Sequence, residues 1–184
     1  MRCDHFDAGT CRSCSLLPQP YERQLAGKAE AIAATLSPVL GADEIAWLAP
    51  ASSPQKGFRT SAKLVVGGTR RRPTLGILGP NRRGIDLPGC PIQHPAINRA
   101  TPGLKRFIRS LSLTPYDVPT KRGELKNILI TVGASEHLMI RFVLRTRERV
   151  SDIRSALPLL RDLVPSAHVV TANIHPTHEA IVEG

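Results

Sequence analysis

Four cysteines are the residues best suited to chemistry in this chain of 184 residues. They are spaced Cys3-x7-Cys11-x2-Cys14 and then, after 75 intervening residues, Cys90 followed by Pro91. Two disulfides would use all four. However, the opening Met-Arg-Cys-Asp-His-Phe-Asp contains no apolar stretch of the kind a secretory signal needs. A reducing cytoplasmic setting is therefore expected, and it argues against disulfides. Cys11-Arg-Ser-Cys14 could be a redox dithiol, yet no strand–helix–strand pattern accompanies it. Four thiols with none left over suit a single tetrathiolate site. Structural zinc commonly draws on two close Cys pairs, and only one such pair is present here. Three clustered cysteines with a distant Cys-Pro stand closer to iron–sulfur ligation, where a ligand often precedes proline. His175-Pro-Thr-His178 has a loosely metal-like spacing but reads better as a surface turn.

The second chemical signal is charge. Residues 1–44 carry four basic and six acidic side chains, residues 45–126 fifteen and three, and residues 127–184 six of each. The net +10 is thus concentrated in the middle as +12. Between Glu44 and Asp86 there are eight bases and no carboxylate. Solubility is served by mixed signs, whereas a single-sign block within a folded domain faces a polyanion. Nucleic acid is the expected partner. An anionic membrane fits less well, because no basic amphipathic helix accompanies the block. Aromatic residues make up 4%, so phosphate contacts rather than extended base stacking should dominate.

These groups need elements to position them. The first 20 residues show no sustained period and read as irregular. Leu25, Ala29, Ile32 and Leu36 repeat at helical spacing over Tyr21–Leu36, with Ser37-Pro38 as the stop. Ile45–Leu48 and Phe58–Val66 read as strands, and Thr74–Leu78 as the return of a hairpin with Arg70–Arg72 near its tip. Residues 79–91, which hold Cys90, read as loop. Pro102 opens a predicted helix through Leu111, and Leu125–Val132 and Leu138–Arg145 read as two strands. A helix over Val150–Leu163 should be divided by Pro158, and His168–Ile174 is a last strand. This order predicts an α+β domain with a mainly antiparallel sheet. Residues 1–20 with 84–92 form a cysteine-rich segment beside a domain over 21–184. Residues 180–184 look like part of a strand, so the chain is expected to be a fragment. Hydrophobic residues make up 41%, with no run long enough to span a membrane, and a monomer is expected.

No GxGxxG, Walker loop, GxSxG or HExxH occurs, and Gly76-Ile-Leu-Gly79 reads as a strand end rather than an RNA-clamping GXXG loop. With all four cysteines committed to a cluster, none serves as a nucleophile. On its residues alone the chain is a binder and not a catalyst.

The segments MRCDHFDAGTCRSCSLLPQPYERQL, GFRTSAKLVVGG, LPGCPI, SLTPYDVPTKRGELKNILI, LMIRFVLRT and VVTANIHPTHEAIVEG together resemble the bacterial 23S rRNA (uracil-5-)-methyltransferases of the iron–sulfur type. The resemblance runs along essentially the whole chain. It implies a [4Fe-4S] cluster on Cys3, Cys11, Cys14 and Cys90, and a central domain that holds folded 23S ribosomal RNA. It also implies a later S-adenosylmethionine domain that carries the attacking cysteine and the base. None of those catalytic or methyl-donor motifs stands in these residues, so no catalytic residue is expected here. RNA contacts are expected at Phe58, Arg59, Lys63, Lys121, Arg122 and Lys126. The family's Phe-Arg-Asn-Lys-Ala run reads Phe58-Arg59-Thr60-Ser61-Ala62 here. Two functions follow as expectations: the RNA-binding, cluster-bearing half of such a methyltransferase, or a stand-alone RNA-binding iron–sulfur module.

Overall fold

Alternating apolar residues build a sheet, and its pairing explains most of the chain's order. A computed structural model describes residues 1–40 and 45–178; the strand-like 180–184 lies outside the described residues. Two compact units divide after Phe58. In the first, a single helical turn α1 (Asp4–Asp7) precedes α2 (Tyr21–Leu40). The second holds β1 (Ser61–Gly68), β2 (Pro73–Leu78), β3 (Gly84–Asp86), α3 (Pro95–Ser110), β4 (Leu125–Val132), β5 (Leu138–Leu144), α4 (Val150–Ser155), α5 (Leu157–Leu163) and β6 (Ala167–Ile174).

The six strands lie in the order β3-β2-β1-β4-β5-β6. Every pair is antiparallel except β5–β6. Short turns join β1 to β2, β2 to β3 and β4 to β5. The parallel pair needs a crossover of a dozen or more residues, and α4 and α5 supply it. Pro158 does divide that crossover, entering α5 in its first turn, where its missing N–H has no partner to lose.

Within the second unit, α3, α4 and α5 cover one face of the sheet. Ala62, Leu64 and Val66 of β1 meet Ile128 and Ile130 of β4, Ile140 and Phe142 of β5, and the buried stripe of α3. The rings of Phe107 and Phe142 are tilted at 5.6 Å between centroids. α3 begins earlier than its sequence suggests. His94 caps it, Nδ1 accepting from Ala96 N at 3.3 Å, and Pro95 fills the first turn. Pro102 therefore sits inside the helix instead of opening it. Gly103 lets α3 approach α5: a Cβ there would lie 2.2 Å from the Leu163 carbonyl oxygen.

Other expectations change. Ile45–Leu48 forms no strand, and Trp47 and Leu48 are exposed, since no strand among the described residues pairs with it. α2 runs through Pro38 to Leu40, with Thr35 and Ser37 hydroxyls donating to the Ala31 and Ala33 carbonyls at 2.8 Å. Pro38 falls in the last turn, where only one backbone hydrogen bond is forfeited. The loop over 79–91 contains the short strand β3, paired to β2.

Candidate functional site

The face of the sheet away from the helices is where β1, β2 and β4 leave polar side chains. Its register sets Val65 opposite Gly76 on one side and Asn127 on the other, and Lys63 opposite Leu129. A cavity of about 620 Å³ lies over this face. Its floor includes Val65, Gly76 and Leu78, and its margins carry Lys63, Arg82, Asn127, Tyr116 and His178. Gly76 is required there because a Cβ would meet the Ile85 carbonyl oxygen at 2.1 Å. Arg82, in the β2–β3 turn, has φ +58, a left-handed backbone that only over-determined turns hold in a non-glycine residue. No carboxylate is among the residues lining the cavity.

Lys126 closes its inner end through an irregularity in the ladder. Leu125 pairs with Leu144 and Asn127 with Val143, so Lys126 is the extra residue of a β-bulge. It is 7% exposed. Its ammonium donates to His175 Nδ1 and the Thr177 carbonyl, each at 2.6 Å, and to the His175 carbonyl at 3.3 Å. An ammonium has no lone pair, so Nδ1 must be the acceptor and the ring proton sits on Nε2, which donates to Thr177 Oγ1 at 3.1 Å. Burial pushes the Lys126 ammonium below the ordinary lysine range. The Tyr116 ring lies 5.3 Å from Lys126 Nζ. It stacks on His178 at 6.1 Å, with a hydrogen bond between the Tyr116 hydroxyl and His178 Nδ1.

The expected RNA contacts are therefore divided. Lys63 and Lys126 share the cavity. Lys126 differs from the expectation of a surface contact, because its charge points inward to three acceptors and holds the 175–178 segment in place. Lys121 and Arg122 are exposed on the turn before β4; Lys121 has φ +56 and the Arg122 carbonyl accepts from Asp117 N at 2.7 Å. In the same turn the Thr120 hydroxyl, above all, and its N–H hold the Asp117 carboxyl below its ordinary value, with Arg83 adding to the effect. Arg59 is exposed, while its backbone bonds to Ile92 and His94 at 2.9 Å each. Phe58 is 51% exposed and belongs to the first unit. Sequence reasoning missed Arg82, Tyr116 and His178. No periodicity joins them; three different turns and the sheet register do.

The four cysteines carry no disulfide. Cys3, Cys11 and Cys14 lie in the first unit and Cys90 in the second. Cys3 is buried and starts α1, its carbonyl accepting from Phe6 N and Asp7 N. Cys11 N returns to the His5 carbonyl at 3.0 Å, and the Cys14 carbonyl accepts from Leu17 N at 2.9 Å. The segment is thus built of successive tight turns with a thiol on each. Among the described residues no group of three or more His, Cys, Asp or Glu side chains is gathered to hold a metal ion. Free thiols are the ligand type an iron–sulfur cluster takes.

No protein-family model matches the chain. It is 42% identical over 186 residues to a 23S rRNA (uracil(747)-C(5))-methyltransferase of Enterobacter sp. (strain 638), and 42% and 44% identical over 185 residues to those of Serratia proteamaculans and Cronobacter sakazakii. In each case the match covers 100% of this chain and 48% of the relative, so the chain spans about half the length of the curated relatives it matches. Among solved structures it is similar to a Pyrococcus abyssi tRNA (uracil-54, C5)-methyltransferase in complex with S-adenosyl-L-homocysteine. The TM-score is 0.66 at 20% identity, over 95% of this chain and 39% of that one, a likeness of fold. No helix among the described residues is long and apolar enough to cross a membrane.

Proposed function

From a chain homologous along its whole length to about half of the 23S rRNA (uracil(747)-C(5))-methyltransferases, we propose that these residues form the RNA-holding, cluster-bearing half of such an enzyme. The identity over the entire chain carries this reading, and the cation-lined cavity on the open sheet face supports it. An enzyme that alkylates C5 of a base in folded RNA must take that base out of its stack, at a cost of a few kcal/mol. A separate surface that grips the flanking backbone offsets that cost.

Here Lys63 and Arg82 would take phosphates, while the Val65 and Leu78 floor and the Tyr116 ring would receive an unpaired neighbour base. Lys126 is a positioning residue, holding His178 against Tyr116 through the 175–178 segment. Arg59, Lys121, Arg122 and Phe58 would extend the contact. Cys3, Cys11, Cys14 and Cys90 would hold a [4Fe-4S] cluster, which supplies folding energy to loops with few apolar residues. The methyl donor of such enzymes, S-adenosylmethionine, needs a glycine-rich strand–loop–helix element, and the described residues contain none. The chain by itself is expected neither to bind it nor to transfer methyl groups. The partner is 23S ribosomal RNA.

The test is binding of a 23S rRNA hairpin across a salt series. Lys63→Ala with Arg82→Ala should weaken binding and flatten the slope of log affinity against log salt by about 1.5 units. A wild-type chain without RNA affinity would overturn the reading. Purified anaerobically, the protein should carry iron and sulfide in equal amounts, about four of each for a Cys₄ cubane. Stoichiometric zinc in a colourless protein would refute the cluster.

A further inference from the structure

One end of the sheet gathers arginines that the sequence scatters over 40 residues. The β1–β2 hairpin closes tightly there. Thr69 N and Arg72 N donate to each other's carbonyls at 3.1 Å, Arg72 N also reaches Thr69 Oγ1, and Gly68 takes φ +73. Arg70 and Arg71 are left at the tip of a fixed two-residue loop. The C-terminus of α3 arrives beside them. Leu113 N bonds to the Ile108 carbonyl and Ser112 N to the Arg109 carbonyl, each at 3.0 Å. That pattern is a Schellman cap, whose left-handed position normally belongs to glycine; here Ser112 occupies it with φ +49.

Arg70, Arg71, Arg109 and Ser112 together line a cavity of about 400 Å³. Among the described residues no carboxylate lies within 4.0 Å of any of the three guanidinium groups. The position of Arg109 alone is explained by the helix dipole, which favours a cation in the last turn. That account does not cover two further guanidiniums turned toward the same space, since like charges at close range repel. A planar fork of donors is the group that binds phosphate bidentately, and a hydroxyl beside it completes the donor set. A phosphodiester supplies the missing negative charge and its acceptor oxygens.

We propose that Arg70, Arg71, Arg109 and the Ser112 hydroxyl form a phosphate-binding site that takes one backbone phosphodiester of the bound RNA. The site rests on the RNA-binding reading above and deepens it by naming a second grip, separate from the cavity on the open face. From Val65, in the floor of that cavity, to Gly68 at the hairpin base is roughly 10 Å of strand. An RNA strand seated over the open face therefore reaches the arginine site within a few nucleotides, passing around the end of the sheet.

The experiment compares four variants of the whole chain with the wild type, using the 23S rRNA hairpin over a range of salt concentrations. Arg70→Ala/Arg71→Ala/Arg109→Ala should weaken binding at low salt about tenfold or more and flatten the salt slope by about 0.7–0.9, the value for one phosphate. The same three positions changed to lysine should keep the slope while losing part of the affinity, because charge survives and the bidentate geometry does not. Lys28→Ala/Arg154→Ala/Arg161→Ala removes equal charge elsewhere and should leave binding within about twofold. Inorganic phosphate at millimolar concentration should compete weakly against the wild type and not at all against the alanine triple. If the arginine and control triples behave alike while Lys63→Ala/Arg82→Ala still weakens binding, the arginine site is refuted and the RNA reading stands. If the wild type binds no RNA, both fall. Thermal melts coincident with wild type establish that the triples are folded; should the alanine triple not fold, the lysine triple decides by the same comparison.

Discussion

Replacing Lys126 with methionine tests whether this residue is an internal strut or an RNA contact. The side chain stays unbranched, ends one atom short of the ammonium position, and loses its charge and donors. Three acceptors are then stranded: His175 Nδ1 and the Thr177 carbonyl, each now 2.6 Å from the ammonium, and the His175 carbonyl at 3.3 Å. A hydrogen bond from a charged group contributes about 1.5–3 kcal/mol, and a stranded buried acceptor costs about 1–3 kcal/mol. Against this, methionine removes the penalty of burying an ammonium. The 175–178 segment can also turn its carbonyls to water, so a net loss of about 2 kcal/mol at pH 7 is expected. The pH dependence discriminates further. Lys126 has a lowered folded-state pKa, so at alkaline pH below 10.5 the unfolded chain binds more protons than the folded one. Wild-type stability should rise as pH increases through that window. The variant lacks the contribution, and the gap between the two should widen from pH 7 to pH 10. Urea denaturation at several pH values measures it. A variant as stable as wild type, with parallel pH dependence, would refute the strut. So would a loss of salt slope in RNA binding as large as that of Lys63→Ala.

Gly103→Ala should destabilise the fold by about 1–3 kcal/mol in chemical denaturation, because the new methyl group would meet the Leu163 carbonyl where α3 crosses α5. Ser112→Gly should instead stabilise it by about 0.5–1 kcal/mol by relieving a left-handed serine, while removing a hydroxyl from the arginine site; a calorimetric melting temperature at or below wild type would contradict the cap. Asp117, held below its ordinary value by the Thr120 hydroxyl and N–H, contributes stability above pH 3.8 that disappears as pH falls through its folded-state pKa. Asp117→Asn should flatten that acid limb in a pH series of melts. Cys90→Ser should abolish iron loading in anaerobic reconstitution, and full loading of the serine variant would exclude Cys90 as a ligand.

The parts legible in the sequence were those set by local pattern. β1, β2, β4, β5 and β6 follow from alternation or apolar runs, and the break at Pro158 follows from proline chemistry. Ile45–Leu48 misled because four apolar-rich residues look the same with or without a neighbouring strand. Pro102 misled because proline is tolerated in the first turns of a helix, and the true start depended on a His94 cap that propensity ranks low. The site was half readable. Lys63 stood out in a basic strip, and its cavity does carry positive charge. Arg82, Tyr116 and His178 reach that cavity from three separate turns, and only the register of the sheet brings turns together. Lys126 looked like any other surface lysine, since an alternating pattern does not announce a bulge.

That bulge has a consequence for the reading frame of β4. Leu125 faces the core, and so do Ile128 and Ile130, three positions that no strict two-residue alternation can satisfy together. Remove Lys126 from the series and Leu125, Asn127, Ile128, Leu129, Ile130 alternate inward and outward without a break. The strand is thus a regular ribbon into which one residue has been interpolated, and that residue is the lysine at the inner end of the cavity. A chain shortened by this single residue would keep an uninterrupted β4–β5 ladder but lose the ammonium that ties down residues 175–178. The insertion therefore serves the open face, by placing a lysine where a regular ladder has none.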